Sequence, residues 1–173
     1  MAEAKLHRSA LAAFLTLLFA TSCATIVNKH VIGQIATIEV VEAKLTFKAR
    51  IDTGAKRTSL HAIDIKVDNQ SQAMAENVGK EITFTTFNEK NEQREIKTLI
   101  REVASVRSSQ GEEFRYVVEM ELAWKGVSKR VRVNLRNREK MTYKLLIGRN
   151  WLENDFVVDV ARDVPQDAEE GEQ

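Results

Sequence analysis

The residues best suited to chemistry in this sequence form the short run Asp52-Thr53-Gly54-Ala55, which follows an apolar segment ending at Ile51. A carboxylate at the end of a strand, followed closely by glycine, can be held on a tight turn where backbone approaches backbone. The threonine hydroxyl can brace its neighbours in that turn. Asp52 could then act as an acid or a base, although the same residue types also make ordinary turns without any chemistry.

The elements that must position Asp52 are predicted to be strands. Apolar residues recur at a period of two from Leu45 to Ile51, directly into the aspartate, and residues 35–40 alternate in the same way. This pattern predicts a hairpin that delivers Asp52 to its turn. The clearest strand comes later in the chain, where one face would carry six large residues: Phe114, Tyr116, Val118, Met120, Leu122 and Trp124.

The whole pattern indicates an all-β fold. Lys125-Gly126 turns the chain into another alternating strand, Val127 to Leu135, and Leu145 to Gly148 is a short buried strand closed by glycine. Arg149 to Glu153 is long enough for one helical turn near the C-terminus. Short strands separated by turns favour a small closed barrel, because closure hides the sheet edges. A chain of 173 residues is expected to hold one domain, which we place at 33–161.

Composition narrows the function classes. The formal net charge is only +1, so no nucleic-acid partner is expected. The chain has a single proline and shows no repeat of solenoid length, so neither a long flexible linker nor a repeat architecture is predicted. The acidic, polar segment 162–173 has too little apolar surface to fold and is predicted to be a disordered tail.

The N-terminus has the features of a secretory signal peptide, which we assign to residues 1–22. Basic residues precede an uncharged run, Ala10 to Ala20, that is shorter than the about 20 apolar residues a membrane span needs. Its end, Ala20-Thr21-Ser22-Cys23, resembles the lipobox of bacterial lipoproteins, with alanine where leucine is usual. Cys23 is the only cysteine, so it is either lipidated or the spare thiol of a secreted chain.

Lipidation of Cys23 would anchor the protein to a membrane. Ala24 follows the cysteine in place of aspartate, which under this resemblance favours the outer membrane. We therefore expect an exported protein of the cell envelope, at the periplasmic face of the outer membrane. Residues 23–32 would be the linker between the anchor and the folded domain.

A second motif, Leu145-Leu146-Ile147-Gly148-Arg149-Asn150-Trp151-Leu152, resembles the retropepsin segment in which apolar residues and a glycine precede Arg-Asn and a short helix. Together with the Asp-Thr-Gly run it makes the chain similar to bacterial and archaeal retropepsin-like aspartic proteases, a family also labelled ATP-dependent zinc proteases. The resemblance extends from about Gly33 to about Val160. Further matching segments are Ala49 to Lys56, Leu60 to Ala62, Val106 to Gly111, Asn134 to Arg138, Met141 and Val158-Asp159.

The resemblance implies that Asp52, Thr53 and Gly54 are the catalytic residues of an aspartic peptidase acting on peptide or isopeptide bonds. Such enzymes need two carboxylates about 3 Å apart that share one proton, one activating water and the other protonating the carbonyl. This chain has one Asp-Thr-Gly, so a homodimer with one Asp52 from each subunit is implied. Asp64 and Asp159 are weaker candidates, for which a structural role is favoured.

Several neighbours would support the site. In the resembling fold, Gly148 lies behind the Asp-Thr-Gly loop and allows close backbone approach. Lys56 could lower the carboxylate pKa values or point to solvent, and Thr58 could hydrogen-bond the turn. His61 is either a substrate or proton contact or a satisfied core histidine. The other matching positions are Ala55 and Arg149, as site support, and Arg115 and Arg138, which could clamp a substrate carboxylate or brace a loop.

No cofactor is expected, despite the family label. Catalytic zinc needs about three side-chain ligands, and histidine occurs only at His7, His30 and His61, the first of which lies in the predicted signal peptide. The sequence has no His-Glu-x-x-His pair and no glycine-rich phosphate loop. We therefore predict no metal site and no dependence on zinc or ATP.

Two functions of different class stay open. One is a dimeric aspartic peptidase of the envelope, whose partners are a second copy, a peptide or protein substrate, and the membrane. The other is a noncatalytic binding or assembly module that regulates a partner, since fold does not settle function. Glu81 to Glu95 could form a flap over the site, because Phe84 to Phe87 and Asn88 to Asn91 resemble a hairpin tip, although the sequence does not identify a flap.

Overall fold

The computed structural model describes residues 29–108 and 111–162, so the expected signal peptide, Cys23 and nearly all of the acidic tail lie outside the described residues. Within these ranges more than half of the residues lie in strands, and two short 3-10 helices cover Val41–Ala43 and Met74–Asn77. The helix α1 covers Arg149–Leu152, and none of the described helices is long and apolar enough to cross a membrane. The strands are β1 His30–Ile32, β2 Ile35–Val40, β3 Leu45–Ile51, β4 Thr58–His61, β5 Ile63–Val67, β6 Glu81–Phe87, β7 Gln93–Leu99, β8 Glu102–Ser108, β9 Gly111–Trp124, β10 Val127–Arg136, β11 Leu145–Ile147 and β12 Phe156–Val158.

Six of the strands pair in a closed circuit. The order β10, β4, β11, β3, β2, β9 returns to β10 through the antiparallel β9–β10 hairpin. Burial alternates strictly along β3, with Phe47 fully inside, because the period-two pattern places every apolar residue of this strand on the inner face. The all-β prediction with a short helix near the C-terminus is confirmed.

Three neighbouring strands bring the motif residues together. β2 and β3 form the predicted hairpin, paired from Ile35 opposite Arg50 to Val40 opposite Leu45. β11 lies beside β3 in parallel, with Ile147 opposite Ile51, and its other edge pairs antiparallel with β4. The residues that follow β3 and β11 therefore emerge side by side at the same edge of the barrel.

The hairpin β6–β7 contains the segment 81–95 that was expected to form a flap. Its turn packs against the outside of β3: Asn88 Nδ2 donates to Thr46 O at 3.0 Å, and Lys48 N–H donates to the Glu89 carboxylate at 2.9 Å. These bonds hold it away from the cavity beside the Asp-Thr-Gly loop, which is lined by β8 instead. The flap prediction is wrong, because the polar turn is hydrogen-bonded to the backbone of β3, once as a donor and once as an acceptor.

The strands β1 and β12 form a separate parallel ribbon. His30 lies opposite Phe156 and Ile32 opposite Val158, and the buried Trp151 stacks on Phe156 with ring centroids 4.3 Å apart. Strand β1 thus lies within the stretch 23–32 that was expected to be linker. The three-residue strand was missed because its pairing partner lies more than a hundred residues away.

Candidate active site

Asp52 lies at the end of β3 on a tight turn. Its backbone N–H donates to Ile147 O at 2.9 Å, which extends the β3–β11 pairing by one residue. Its Oδ1 accepts the N–H groups of Gly54 at 3.0 Å and Ala55 at 3.2 Å. Two backbone donors fix the orientation of the half-buried carboxylate, while Thr53 and Gly54 remain exposed.

Gly148 allows the segment after β11 to press against the loop that carries Asp52. A Cβ at this position would lie 2.4 Å from the carbonyl carbon of Arg57 and 2.8 Å from Thr58 N, so only glycine fits. The next residue, Arg149, donates its N–H to Ala55 O at 2.9 Å. Its guanidinium Nη1 reaches Thr53 O at 2.9 Å. The loop is therefore held from behind along most of its length.

Asn150 is a supporting residue to which the sequence analysis gave no role. Its Oδ1 accepts Thr58 N–H at 2.9 Å and the Thr58 hydroxyl at 3.1 Å, and its Nδ2 donates to Arg132 O at 2.8 Å. The Thr58 hydroxyl also accepts Gly148 N–H at 3.2 Å. Thr58 and Asn150 thus join the two motif segments through side chains. The sequence feature that could have indicated this role is an asparagine directly after Gly148-Arg149, because an amide side chain there can bond to nearby backbone groups.

A cavity of about 530 Å³ opens beside this loop, between the loop, β8 from Glu102 to Arg107, the beginning of β9 and the end of β10. Glu102 is the one acidic residue among the side chains described as lining it, and it forms an ion pair with Arg57 at 2.8 Å. The cations lining the cavity are Lys56, Arg57, Arg107, Arg115, Arg136 and Arg138. The lining is therefore strongly positive although the whole chain is almost neutral.

Arg115 is buried in the cavity wall, with 6% of its surface exposed. Its Nη2 and Nε donate to the Glu113 carboxylate at 2.7 and 3.0 Å, and its Nη1 donates to Asn134 Oδ1 at 3.1 Å. The Asn134 amide in turn donates to Thr58 O at 2.9 Å. A chain of hydrogen bonds therefore links this guanidinium to Thr58, which directly follows the loop that carries Asp52.

Arg138 is the second buried arginine of the wall, with 7% exposed. Its Nε donates to Tyr143 O at 3.0 Å. Burial lowers the pKa of its guanidinium to about 10, with smaller contributions in the same direction from Arg136 and Arg115 and an opposing one from Asp52. The side chain stays protonated at neutral pH and lies within electrostatic range of Asp52.

His61 lies in the interior behind Arg138. Its Nδ1 accepts the backbone N–H of Arg138 at 2.9 Å, and its ring packs edge-on against Phe87 with centroids 4.2 Å apart. Burial is the main cause that lowers the pKa of His61 to about 4, and the nearby Lys144 ammonium adds to it. The imidazole is therefore neutral and supports the Arg138 backbone.

The residues at this site do not fit a zinc ion. Nδ1 of His61 is occupied as an acceptor, which leaves the proton on Nε2, and His30 packs against Phe156 on the β1–β12 ribbon. Across residues 29–108 and 111–162, no three His, Cys, Asp or Glu side chains are grouped as a metal site requires. No step of the chemistry is assigned to a metal.

The predicted site residues fall into two groups. Asp52, Thr53, Gly54, Ala55, Lys56, Thr58, Gly148 and Arg149 meet where β3 and β11 end. Arg115 and Arg138 lie in the wall of the adjoining cavity, and His61 supports the second of them. The cavity also contains Ser59, Asn134 and Arg136, which sequence reasoning did not select. Their signal was faint, because β4 and β10 both mix polar and apolar residues along their length.

Known proteins are similar to this chain in sequence and in fold. Probable alpha-L-glutamate ligases from Shewanella pealeana and Desulfotalea psychrophila are 30% and 28% identical over 116 and 119 residues, 65% and 66% of this chain. The chain spans only 24% of the length of each of these relatives. A Legionella pneumophila protein of unknown function has a solved structure with a TM-score of 0.62 and 26% identity, covering 78% of this chain and 95% of that one.

A family model describes the matching domain directly. The model for the retropepsin-like aspartic endopeptidase RimB matches residues 31–169, which contain the Asp-Thr-Gly loop, the Gly148 segment behind it and the cavity beside the loop. The resemblance noted in the sequence is thereby confirmed. This chain belongs to the RimB-like family of retropepsin-like aspartic endopeptidases.

Proposed function

We propose that this protein is one half of an aspartic endopeptidase that hydrolyses peptide or isopeptide bonds, with the active site completed by a second copy. The observation that carries the proposal is the fixed carboxylate of Asp52. It is held by two backbone N–H groups on an exposed loop that only a glycine at position 148 permits. Such preorganisation is needed when a carboxylate must activate water in one defined position.

A second chain is needed because the cavity offers no second free carboxylate. Among its described lining residues, Glu102 is acidic but is paired with Arg57. Members of retropepsin-like families typically dimerise. Thr53 and Gly54 are exposed beside Asp52, so a second copy could approach the loop there. The dyad would then consist of Asp52 from each subunit on a two-fold axis.

The proposed reaction uses the two carboxylates as one acid and one base. The ionised carboxylate takes a proton from water, whose oxygen bonds to the carbonyl carbon, while the protonated carboxylate donates its proton to the carbonyl oxygen. The carboxylate that took the proton from water then donates it to the amide nitrogen, the C–N bond breaks, and the other carboxylate takes a proton from one of the two hydroxyl groups, so that a carboxylic acid and an amine leave. The dyad is restored with one shared proton.

We infer that the preferred substrates are acidic peptides. Six cationic side chains line the cavity next to Asp52, and two of them are buried arginines, whose positive charge favours a ligand that carries a carboxylate. The similar proteins named probable alpha-L-glutamate ligase support glutamyl chains as a specific class. A hydrolase acting on glutamyl linkages would need the positive cavity seen here.

The test is hydrolysis of a hexaglutamate peptide by the wild-type protein and by D52N. The wild type should release shorter glutamyl peptides, whereas D52N should be at least about a thousandfold slower, because the dyad has lost a carboxylate that transfers protons. Thermal unfolding of D52N should match that of the wild type. Undiminished cleavage by the folded D52N protein would remove the proposal.

A noncatalytic module that binds acidic partners is the second candidate. The observation in its favour is that the cationic lining does not depend on Asp52, so binding could occur without chemistry. The two candidates differ in one result of the same experiment. If wild type and D52N bind hexaglutamate equally and neither cleaves it, the binding module is correct.

A further inference from the structure

Ser59 is a buried polar residue of the cavity that the fold leaves without a partner. It lines the cavity with only 3% of its surface exposed, and its hydroxyl oxygen makes no hydrogen bond to any described residue. Burying an unpaired hydroxyl costs about 1–3 kcal/mol. Packing does not require that cost, because alanine would fill nearly the same space.

The strand register explains why the hydroxyl is unpaired. Ser59 lies opposite Asn134 of β10 and opposite Leu146 of β11, and all three residues line the cavity. The Asn134 side chain is already engaged, since its oxygen accepts from Arg115 and its nitrogen donates to Thr58 O. Leu146 offers no polar atom. The Ser59 hydroxyl thus has no neighbour across either strand that could satisfy it.

The surroundings of Ser59 match one kind of ligand atom. Arg115 and Arg138, both more than nine-tenths buried, line the same cavity, and Leu146 provides an apolar surface beside them. Guanidinium groups and a free hydroxyl are all hydrogen-bond donors, and an ionised carboxylate is a pure acceptor with room for several of them. A short aliphatic stem ending in a carboxylate fits both the donors and the leucine.

We propose that Ser59 is a specificity-determining residue, whose hydroxyl donates a hydrogen bond to a side-chain carboxylate of the substrate bound between Arg115 and Arg138. The inference rests on the proposed function for the peptide nature of the ligand. The subsite discriminates against apolar side chains because they would leave the buried Ser59 hydroxyl unpaired, and against neutral ones because they lack the charge that the two arginines favour. The unpaired hydroxyl lowers the stability of the ligand-free protein, and the selectivity is what it provides in return.

The test measures binding in a background that cannot cleave. D52N and D52N/S59A are titrated with hexaglutamate and hexaglutamine at one fixed salt concentration, and the preference for hexaglutamate is the ratio of the two dissociation constants. The S59A change should reduce that preference about tenfold, the effect expected for one hydrogen bond to a charged group. Its thermal midpoint should stay equal or rise, because the removed hydroxyl had no bond to lose.

Thr86 supplies the matched control. It is fully buried on β6 with an equally unpartnered hydroxyl, and it does not line the cavity. D52N/T86V, which keeps the side-chain shape, should gain stability without changing the preference. An unchanged preference in S59A, a lowered thermal midpoint without a change in preference, or no preference in D52N itself would each overturn the role of Ser59.

The outcome separates this inference from the proposed function. If the wild type cleaves hexaglutamate and S59A keeps the full preference, the subsite is disproved and the peptidase stands. If the wild type cleaves nothing and S59A loses the preference, the subsite stands and the peptidase is disproved.

Discussion

The two sides of the cavity are built in different ways. The side that carries Asp52 is held by backbone groups, with short side chains such as Thr58 and Asn150 filling the remaining bonds. The opposite wall is made of long cationic side chains, of which Arg115 and Arg138 are buried. Backbone contacts leave almost no freedom to the carboxylate, whereas long side chains can adjust to a ligand. In the proposed function, one side fixes the position of the carboxylate and the other selects the ligand.

The largest expected effect follows from changing Gly148, on the side of the cavity that is held by backbone contacts. In G148A the new methyl carbon would overlap the Arg57 backbone, so we expect a loss of about 3 kcal/mol or more in the free energy of unfolding. Urea denaturation measures this loss. The control is G79A, where glycine has φ +87 but nothing within 4 Å, and the cost should be only about 1 kcal/mol from backbone strain. Equal losses would show that close approach is not what requires Gly148.

The wall depends on a neutral His61, which gives a pH test. Its pKa is lowered from 6.5 to about 4 in the folded protein, so its stabilising contribution is complete above pH 6.5 and is lost as the pH falls toward 4. The loss should reach up to about 3 kcal/mol at pH 4 and below. Denaturation of the wild type and of H61N over this range isolates the effect, because the asparagine oxygen can still accept the Arg138 N–H but does not titrate.

A parallel decline of the two proteins with pH would contradict this account. It would mean that the carboxylates of the protein, and not His61, set the acid limit of the fold.

The smallest of these effects concerns selectivity and needs a binding measurement. In the D52N background, R138Q should weaken hexaglutamate binding about 30-fold, equivalent to about 2 kcal/mol, because one charged donor is lost. The control is R94Q, on the exposed strand β7, where binding should stay the same. A loss of comparable size in both variants would point to general charge attraction in place of a built wall.

The loop that carries Asp52 could be predicted from the sequence because its causes are local. The period-two pattern of Leu45 to Ile51 specified β3, and Asp-Thr-Gly specified the turn that ends it. The wall could not be predicted in the same way. Arg115 and Ser59 are 56 positions apart in the numbering and meet only because β9, β10 and β4 pair as neighbours. The flap was misplaced for the same reason, since the bond between Asn88 and Thr46 is a tertiary contact.

The ribbon of β1 and β12 has a mechanical consequence. Both strands point the same way, so a force that separates the two ends of the folded domain acts at opposite ends of the ribbon. The hydrogen bonds between the strands are then loaded together in shear, whereas an antiparallel pair pulled from one end would open bond by bond. Each strand of the ribbon has three residues. The two strands must separate before tension reaches the barrel and Asp52.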